Sequence, residues 1–232
     1  MNYRKNIIEP LRDLGRFLTF RATVEDFDRY GVPHFVLGLT ITWLVGIARN
    51  WDLVTAPLFA RLGLASVAYI FFMAFLIFAF AWMPSNIQRS YGKVLTVVAM
   101  TAAPGLIYGI PVEMFLSVDD AQAVNLAFLA VVALWRVALA IQFCGKGCGN
   151  TVGVGAAIIF VPIQILIFVL VGTGRAGYIM DIMGGLRGGE FRDANYTVNL
   201  VIANLWCLAW PGIVLALFVY GAATWNARSR PD

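Results

Sequence analysis

The chain has 232 residues, of which 60% are hydrophobic and only 13% charged, with a formal net charge of +4 and a mean hydropathy of +0.78. Soluble domains carry about 45–50% apolar and about 25% charged residues, so an ordinary water-soluble domain is excluded. The basic excess is modest and not gathered into a stripe interleaved with aromatics, which argues against nucleic acid as a partner and for topology information in a membrane.

Residues 1–31 read as a cytoplasmic N-terminal segment. The stretch MNYRKNIIEPLRDLGRFLTF lacks the apolar core and small-residue cleavage site of a signal peptide. Glu9 and Asp13 also argue against an organellar transit peptide, so the segment is expected to stay on the chain. Pro10 to Phe20 reads as a short amphipathic helix, with Pro10 at its first position. Leu11, Leu14 and Leu18 share one face, and Arg12, Asp13 and Arg16 lie elsewhere. Such a helix either lies on the inner leaflet or caps the bundle.

Crossing the hydrocarbon takes roughly 20 mainly apolar residues. About six stretches meet that criterion: Val32–Ala48, Leu62–Trp82, Val94–Leu116, Ala121–Phe143, Thr151–Val171 and Val198–Tyr220. None alternates apolar and polar residues as a barrel strand does, and backbone groups in lipid are otherwise satisfied only by helices. The expected fold is therefore all-α: a polytopic transmembrane bundle over 32–220 followed by a tail, 221–232. Arg4, Lys5, Arg12, Arg16, Arg21 and Arg29 precede the first span, Arg89 and Lys93 follow the second, and Lys146 follows the fourth. The positive-inside rule then puts both termini in the cytoplasm, with the bacterial inner (plasma) membrane as the expected location. Trp51, Trp82 and Trp225 fall at span ends, where indoles sit among headgroups.

The inventory of reactive side chains is thin. His34 is the single histidine, so this chain alone cannot supply bis-histidine haem ligation. Lys5, Lys93 and Lys146 lie outside the spans, which removes a buried Schiff-base lysine. His34 has no acidic neighbour in sequence to support a Ser–His–Asp triad. Cys144 and Cys148 in FCGKGCGN fall short of the four ligands of structural zinc. No cofactor, no metal and no enzymatic activity are expected.

Polar residues at membrane depth are costly and mark candidate sites. In the third span, VLTVVAMTAAPGLIYGIPVEMFL, Thr101, Gly105, Gly109 and Glu113 recur every four residues. Gly105 and Gly109 form a GxxxG pair that admits a close helix, and Pro104 and Pro111 free carbonyls and kink the helix. In the fourth span Asn125 and Arg136 return to one face. Glu113 lies roughly 7 Å inside the outer boundary and Arg136 about 22 Å inside it, so a direct ion pair misses by about 15 Å at 1.5 Å per residue. Arg49, Asn125 and Asn204 fall near the level of Glu113, Arg136 falls near Thr96 and Thr101, and Gln164 sits in the fifth span. Two readings follow. These groups lock helix register by hydrogen bonds, or they line a route or cavity for an anion, a proton or a lipid headgroup.

Three stretches, SYGKVLTVVAMTAAPGLIYGI, LAFLAVVALWRVALAIQF and KGCGNTVGVGAAIIFVPIQILIF, resemble the Yip1-type membrane family through Tyr91, Pro104, Trp135 and Pro162. The resemblance covers about half the chain and implies a polytopic, non-catalytic protein with a cytoplasmic N-terminus. The chain departs from the family in having about six spans where five are usual, and no site residues carry over. The expected role is an accessory or scaffold subunit that contacts membrane lipids and other membrane proteins or copies of itself. The alternative is a small transporter or channel using the polar interior around Glu113 and Arg136.

Overall fold

Two short helices precede the first span, and local side chains set their ends. The computed structural model describes residues 3–50, 58–172 and 211–229, and its regular elements are helical. Helix α1 (Tyr3–Leu18) stops at Phe20, which takes a left-handed φ of 61°. The Arg21 amide then donates to the Arg16 carbonyl at 2.8 Å and the Phe20 amide to the Phe17 carbonyl at 3.0 Å. This is a Schellman closure, made here by a residue that pays about 1–2 kcal/mol for the left-handed backbone. Helix α2 (Val24–Arg29) opens on a capping box: the Asp26 amide donates to the Thr23 hydroxyl at 3.4 Å, and the Thr23 amide donates to the Asp26 carboxylate at 3.0 Å.

The amphipathic helix differs from its sequence reading. It begins at Tyr3, so Pro10 is an interior, buried residue rather than the first of the helix. Its inward face carries Asp13, Leu14 and Phe17, whereas Leu11 is 49% exposed. The helix caps the bundle. Phe27 is the centre of the contact, edge-on to Phe17 at 5.8 Å and to Phe143 at 5.3 Å. The Trp135 indole donates to the Leu18 carbonyl at 3.1 Å, and Gln142 donates to the Ala22 carbonyl at 3.4 Å.

Four helical segments among the described residues are long and apolar enough to cross a membrane: Val32–Arg49, Leu64–Ala81, Tyr91–Gly109 and Ala123–Gly147. They belong to α3 (Val32–Asn50), α5 (Leu64–Ala81), α6 (Tyr91–Met100) with its 3-10 continuation Ala103–Gly109, and α7 (Val118–Gln142). A short α4 (Leu58–Arg61) leads into α5. Helix α8 (Val152–Gly172), 21 residues long, matches the fifth expected span, and its described side chains run to Ile165. A further helix, α9, runs over 211–228. It overlaps only the end of the sixth expected span, and residues 198–210 lie outside the described residues. Six spans were expected; among the described residues four helical segments have the length and apolarity of one.

Helix α3 is the central strut, and small residues let its neighbours close in. A Cβ on Gly38 would stand 2.9 Å from the Ala99 Cβ of α6, and one on Gly46 would stand 2.8 Å from the Gly63 Cα. Thr42 shares its hydroxyl proton between Gly38 O (2.8 Å) and Ala99 O (3.3 Å), a polar tie across the α3–α6 contact. The third span is not one α-helix. Pro104 has no amide proton for the carbonyl of Met100, so the α-ladder ends there and the chain tightens into 3-10 turns at Ala103–Gly109 and Val112–Met114.

One end of the bundle is stitched shut. After α7 the chain makes a π-helical turn, Phe143–Gly147. The Ile87 amide donates to the Cys148 carbonyl at 2.9 Å, Arg89 Nε to the Gly147 carbonyl at 2.8 Å, and Asn150 to the Cys144 carbonyl at 3.0 Å. Lys93 donates to the carbonyls of Phe27, Asp28 and Tyr30, filling the open C-terminus of α2, and Arg89 pairs with Asp28. The α1–α2 cap, the α5–α6 connection and the α7–α8 connection therefore meet at the same end. Helix α9 reaches it too, with Tyr220 donating to the Phe80 carbonyl at 2.9 Å and Arg228 lying 3.7 Å from the Met83 sulfur.

Candidate functional site

Arg49 stands in the last turn of α3, Tyr108 in the 3-10 segment, Tyr69 in the second turn of α5 and Arg136 in α7. The Arg49 guanidinium lies 6.0 Å from the Tyr108 ring centroid, and that of Arg136 lies 5.9 Å from the Tyr69 centroid. Each arginine is close enough to feel both the other's charge and the other's tyrosine. Arg49 Nη2 is fully buried with no hydrogen-bond partner among the described residues. Tyr69 is 45% exposed, so the cluster opens on the outside of the bundle.

This grouping departs from the depth arithmetic, which set Arg49 and Arg136 at opposite levels. Side chains on a helix lean toward its N-terminus. Helices α3 and α7 run in opposite directions, so Arg49 leans back down α3 while Arg136 leans back up α7. The two guanidiniums converge. Arg136 stands at the middle of the span Ala123–Gly147, where an arginine costs about 2.5–3.5 kcal/mol, and one desolvated cation–π contact returns about 2 kcal/mol. The Tyr69 ring therefore does not offset the burial of Arg136, and the charge of Arg49 nearby widens the gap. The ion pairs among the described residues belong to Arg12, Arg16, Arg29, Arg89 and His34, all at the cap.

The other polar and small residues expected at membrane depth are spread out. Asn125 is exposed on α7. Gln164 is half-buried on α8, with its Oε1 buried and unbonded among the described residues. Thr101 is buried and bonds back to the Val98 carbonyl at 2.7 Å, and Pro104 is buried beside it. A Cβ on Gly105 would stand 2.7 Å from Val45 Cγ1 and one on Gly109 3.8 Å from the Ala48 Cβ, so both glycines of the GxxxG pair face α3 of the same chain. Pro111 is half-buried. Only the backbone of Glu113 is described, and Asn204 lies outside the described residues.

A second polar cluster escaped the sequence reading. Asp13, 1% exposed, takes a hydrogen bond from His34 Nε2 at 3.3 Å across 21 residues of sequence. His34 has no acidic neighbour in sequence, and the fold supplies one. The Gly31 amide donates to His34 Nδ1 at 3.3 Å, which fixes the ring proton on Nε2 and leaves neither nitrogen free to activate a nucleophile. Tyr30 stacks on the imidazole at 4.8 Å. Asp26 accepts from Arg16 at 3.0 Å and from Arg29. Burial, reinforced by the charges of Asp13 and Asp26, pushes the Tyr30 hydroxyl well above the ordinary tyrosine range. Burial likewise raises the Cys148 thiol, against a hydrogen bond from Ser85. Among the described residues no three His, Cys, Asp or Glu side chains are grouped to hold a metal ion.

Comparison with protein-family models, with curated proteins and with solved structures gives no match. The fold itself, with four helices of membrane-crossing length and apolarity, fits an integral membrane protein.

Proposed function

We propose that the chain is a non-enzymatic accessory or scaffold subunit of a bacterial inner membrane, with about six spans by the apolar-length criterion and both termini in the cytoplasm. The side chains that could do chemistry are engaged in holding the cap to the bundle: His34 on Asp13, Lys93 on three carbonyls, Arg89 on Asp28 and Gly147. The basic segments before α3, between α5 and α6 and between α7 and α8 lie at one end, which supports that end as the cytoplasmic one. Tyr91, Pro104, Trp135 and Pro162, the residues of the Yip1-type likeness, support membership of that family in the same spirit.

The observation that carries the subunit reading is the outer face of α7. Ala123, Ala127 and Ala130 are exposed there beside Leu126 and Leu134, the last 71% exposed. A smooth stripe of small residues lets another transmembrane helix approach closely. The GxxxG pair of the third span does not serve this purpose, because Gly105 is filled by Val45. The test is purification from native membranes in mild detergent, with Ala127→Leu as the probe. A partner chain in fixed proportion to the wild type, and lost from a folded Ala127→Leu variant, supports the reading. A lone chain in both cases refutes it. A second reading, an anion transporter, is favoured by the two guanidiniums of the Arg49–Arg136 cluster. It requires anion flux in proteoliposomes of the purified chain that Arg136→Leu abolishes.

A further inference from the structure

We infer that Arg49 and Arg136 hold a phosphate group, and that its source is the headgroup of an anionic membrane lipid. The inference adds a ligand to the proposed membrane subunit and rests on that reading only for its place in a bilayer. The guanidinium carbon of each arginine lies over a tyrosine ring, a contact that takes up charge without supplying the N–H groups with a lone-pair acceptor. The planar N–H forks of a guanidinium match phosphate oxygens in a bidentate manner. Arg49 Nη2 is such a donor, buried and unbonded among the described residues. Two cations sharing one site, within reach of each other's charge, call for one anion between them.

Position decides between kinds of anion. Arg49 ends α3, Tyr108 comes near the end of its 3-10 segment, and Tyr69 lies one turn from the start of α5. These three are rooted at the bundle end opposite the cap, where headgroups meet the hydrocarbon, and Arg136 reaches toward them from the middle of its span, Ala123–Gly147. The half-exposed Tyr69 opens the cluster sideways toward the bilayer, so a ligand anchored by acyl chains can enter without crossing the bundle. Tyrosine at that level is at home among headgroups.

The test uses the full chain in mild detergent, freed of co-purified lipid. Thermal unfolding is followed with added phosphatidylglycerol, with phosphatidylcholine and with inorganic phosphate. Arg49→Gln and Arg136→Gln keep a polar side chain and lose the charge; Arg49→Lys keeps the charge and loses the fork. Stabilisation by phosphatidylglycerol, weak or absent with phosphatidylcholine, is expected for the wild type. Its apparent affinity should fall roughly tenfold or more in either glutamine variant, since each removes charge-assisted hydrogen bonds, and less in Arg49→Lys. Equal response to both lipids, or unchanged affinity in folded glutamine variants, overturns the site. Stabilisation by inorganic phosphate alone overturns the lipid source. No lipid response, with Glu113→Gln as destabilising as Arg49→Gln, assigns the guanidiniums to an internal ion pair and likewise overturns the inference. A chain that keeps its partner protein but shows no lipid response loses the site and leaves the subunit reading standing.

Discussion

Asp13→Ala should loosen the cap and leave the spans intact. The carboxylate is 1% exposed and, among the described residues, accepts one hydrogen bond, from His34 Nε2 at 3.3 Å; Arg12 and Arg29 approach it only to 3.9 Å. Arg12 is 64% exposed, so its share is close to nothing. Arg29 keeps Asp26. What remains is a charge-assisted hydrogen bond, about 1.5–3 kcal/mol, and a buried imidazole N–H left without a partner. Breaking a buried ion pair costs about 3–5 kcal/mol, but the Gly31 amide bonded to Nδ1 makes His34 a neutral partner, so the lower range applies. Taking about 2 kcal/mol, local opening of the cap rises roughly 30-fold. Hydrogen exchange in detergent micelles reads this directly at the amides of α1 and α2, and trypsin reads it at the exposed Arg21. Asp13→Asn, which can still accept from Nε2, should show a smaller effect, and Asp13→Ala with His34→Ala no more than Asp13→Ala alone. Exchange unchanged at α1 and α2, or raised equally through α3 and α7, would refute the latch.

Further outcomes follow from the same geometry. Gly63→Ala puts a Cβ 2.5 Å from the Trp43 carbonyl at a residue with φ of 72°; a loss of more than about 2 kcal/mol in thermal unfolding is expected, whereas Gly92→Ala, with open space around it, should be neutral or gain a few tenths to about 1 kcal/mol. In a Cys207→Ser background, maleimide should label neither Cys144 nor Cys148 at neutral pH until the protein is unfolded, because both are buried and Cys148 is held in its unreactive protonated form. Rapid labelling of the folded chain would contradict that burial. The raised Tyr30 hydroxyl contributes stability that is fully present below pH of about 10, the unfolded tyrosine value, and is lost as pH rises above it. Tryptic cleavage at Arg21 should accelerate above that pH in the wild type but not in Tyr30→Phe, and equal acceleration in both would count against it.

The spans were legible because hydropathy over some 20 residues is a strong signal: α3 and α5 begin at Val32 and Leu64, and α7 at Val118, within three residues of their expected starts. Pro104 and Pro111 signalled a bend, but not that the span would leave the α-helix at Met100. The cap was half legible. Leu14 and Phe17 belong to an apolar face, yet Asp13 joins them because His34, 21 residues on, supplies a partner that no local pattern reveals. Lys93 reads as a marker of the inner side, while its ammonium also fills the end of α2. Arg49 and Arg136 lie far apart in the sequence and meet because antiparallel helices aim their side chains toward one level. Tyr69 and Tyr108 carried no signal beyond being aromatic.

The membrane crossing itself is the claim on which the rest stands, and single-cysteine labelling in oriented membrane vesicles tests it most directly. In a chain cleared of its native cysteines, cysteine at Gln88 and at Lys146 should react with an impermeant maleimide from one face, the face that also exposes the cap at Arg12. Cysteine at Ser117, at the head of α7, should react only from the other. Labelling of Gln88 and Ser117 from the same face, with α6 and its 3-10 continuation between them, would contradict a spanning bundle.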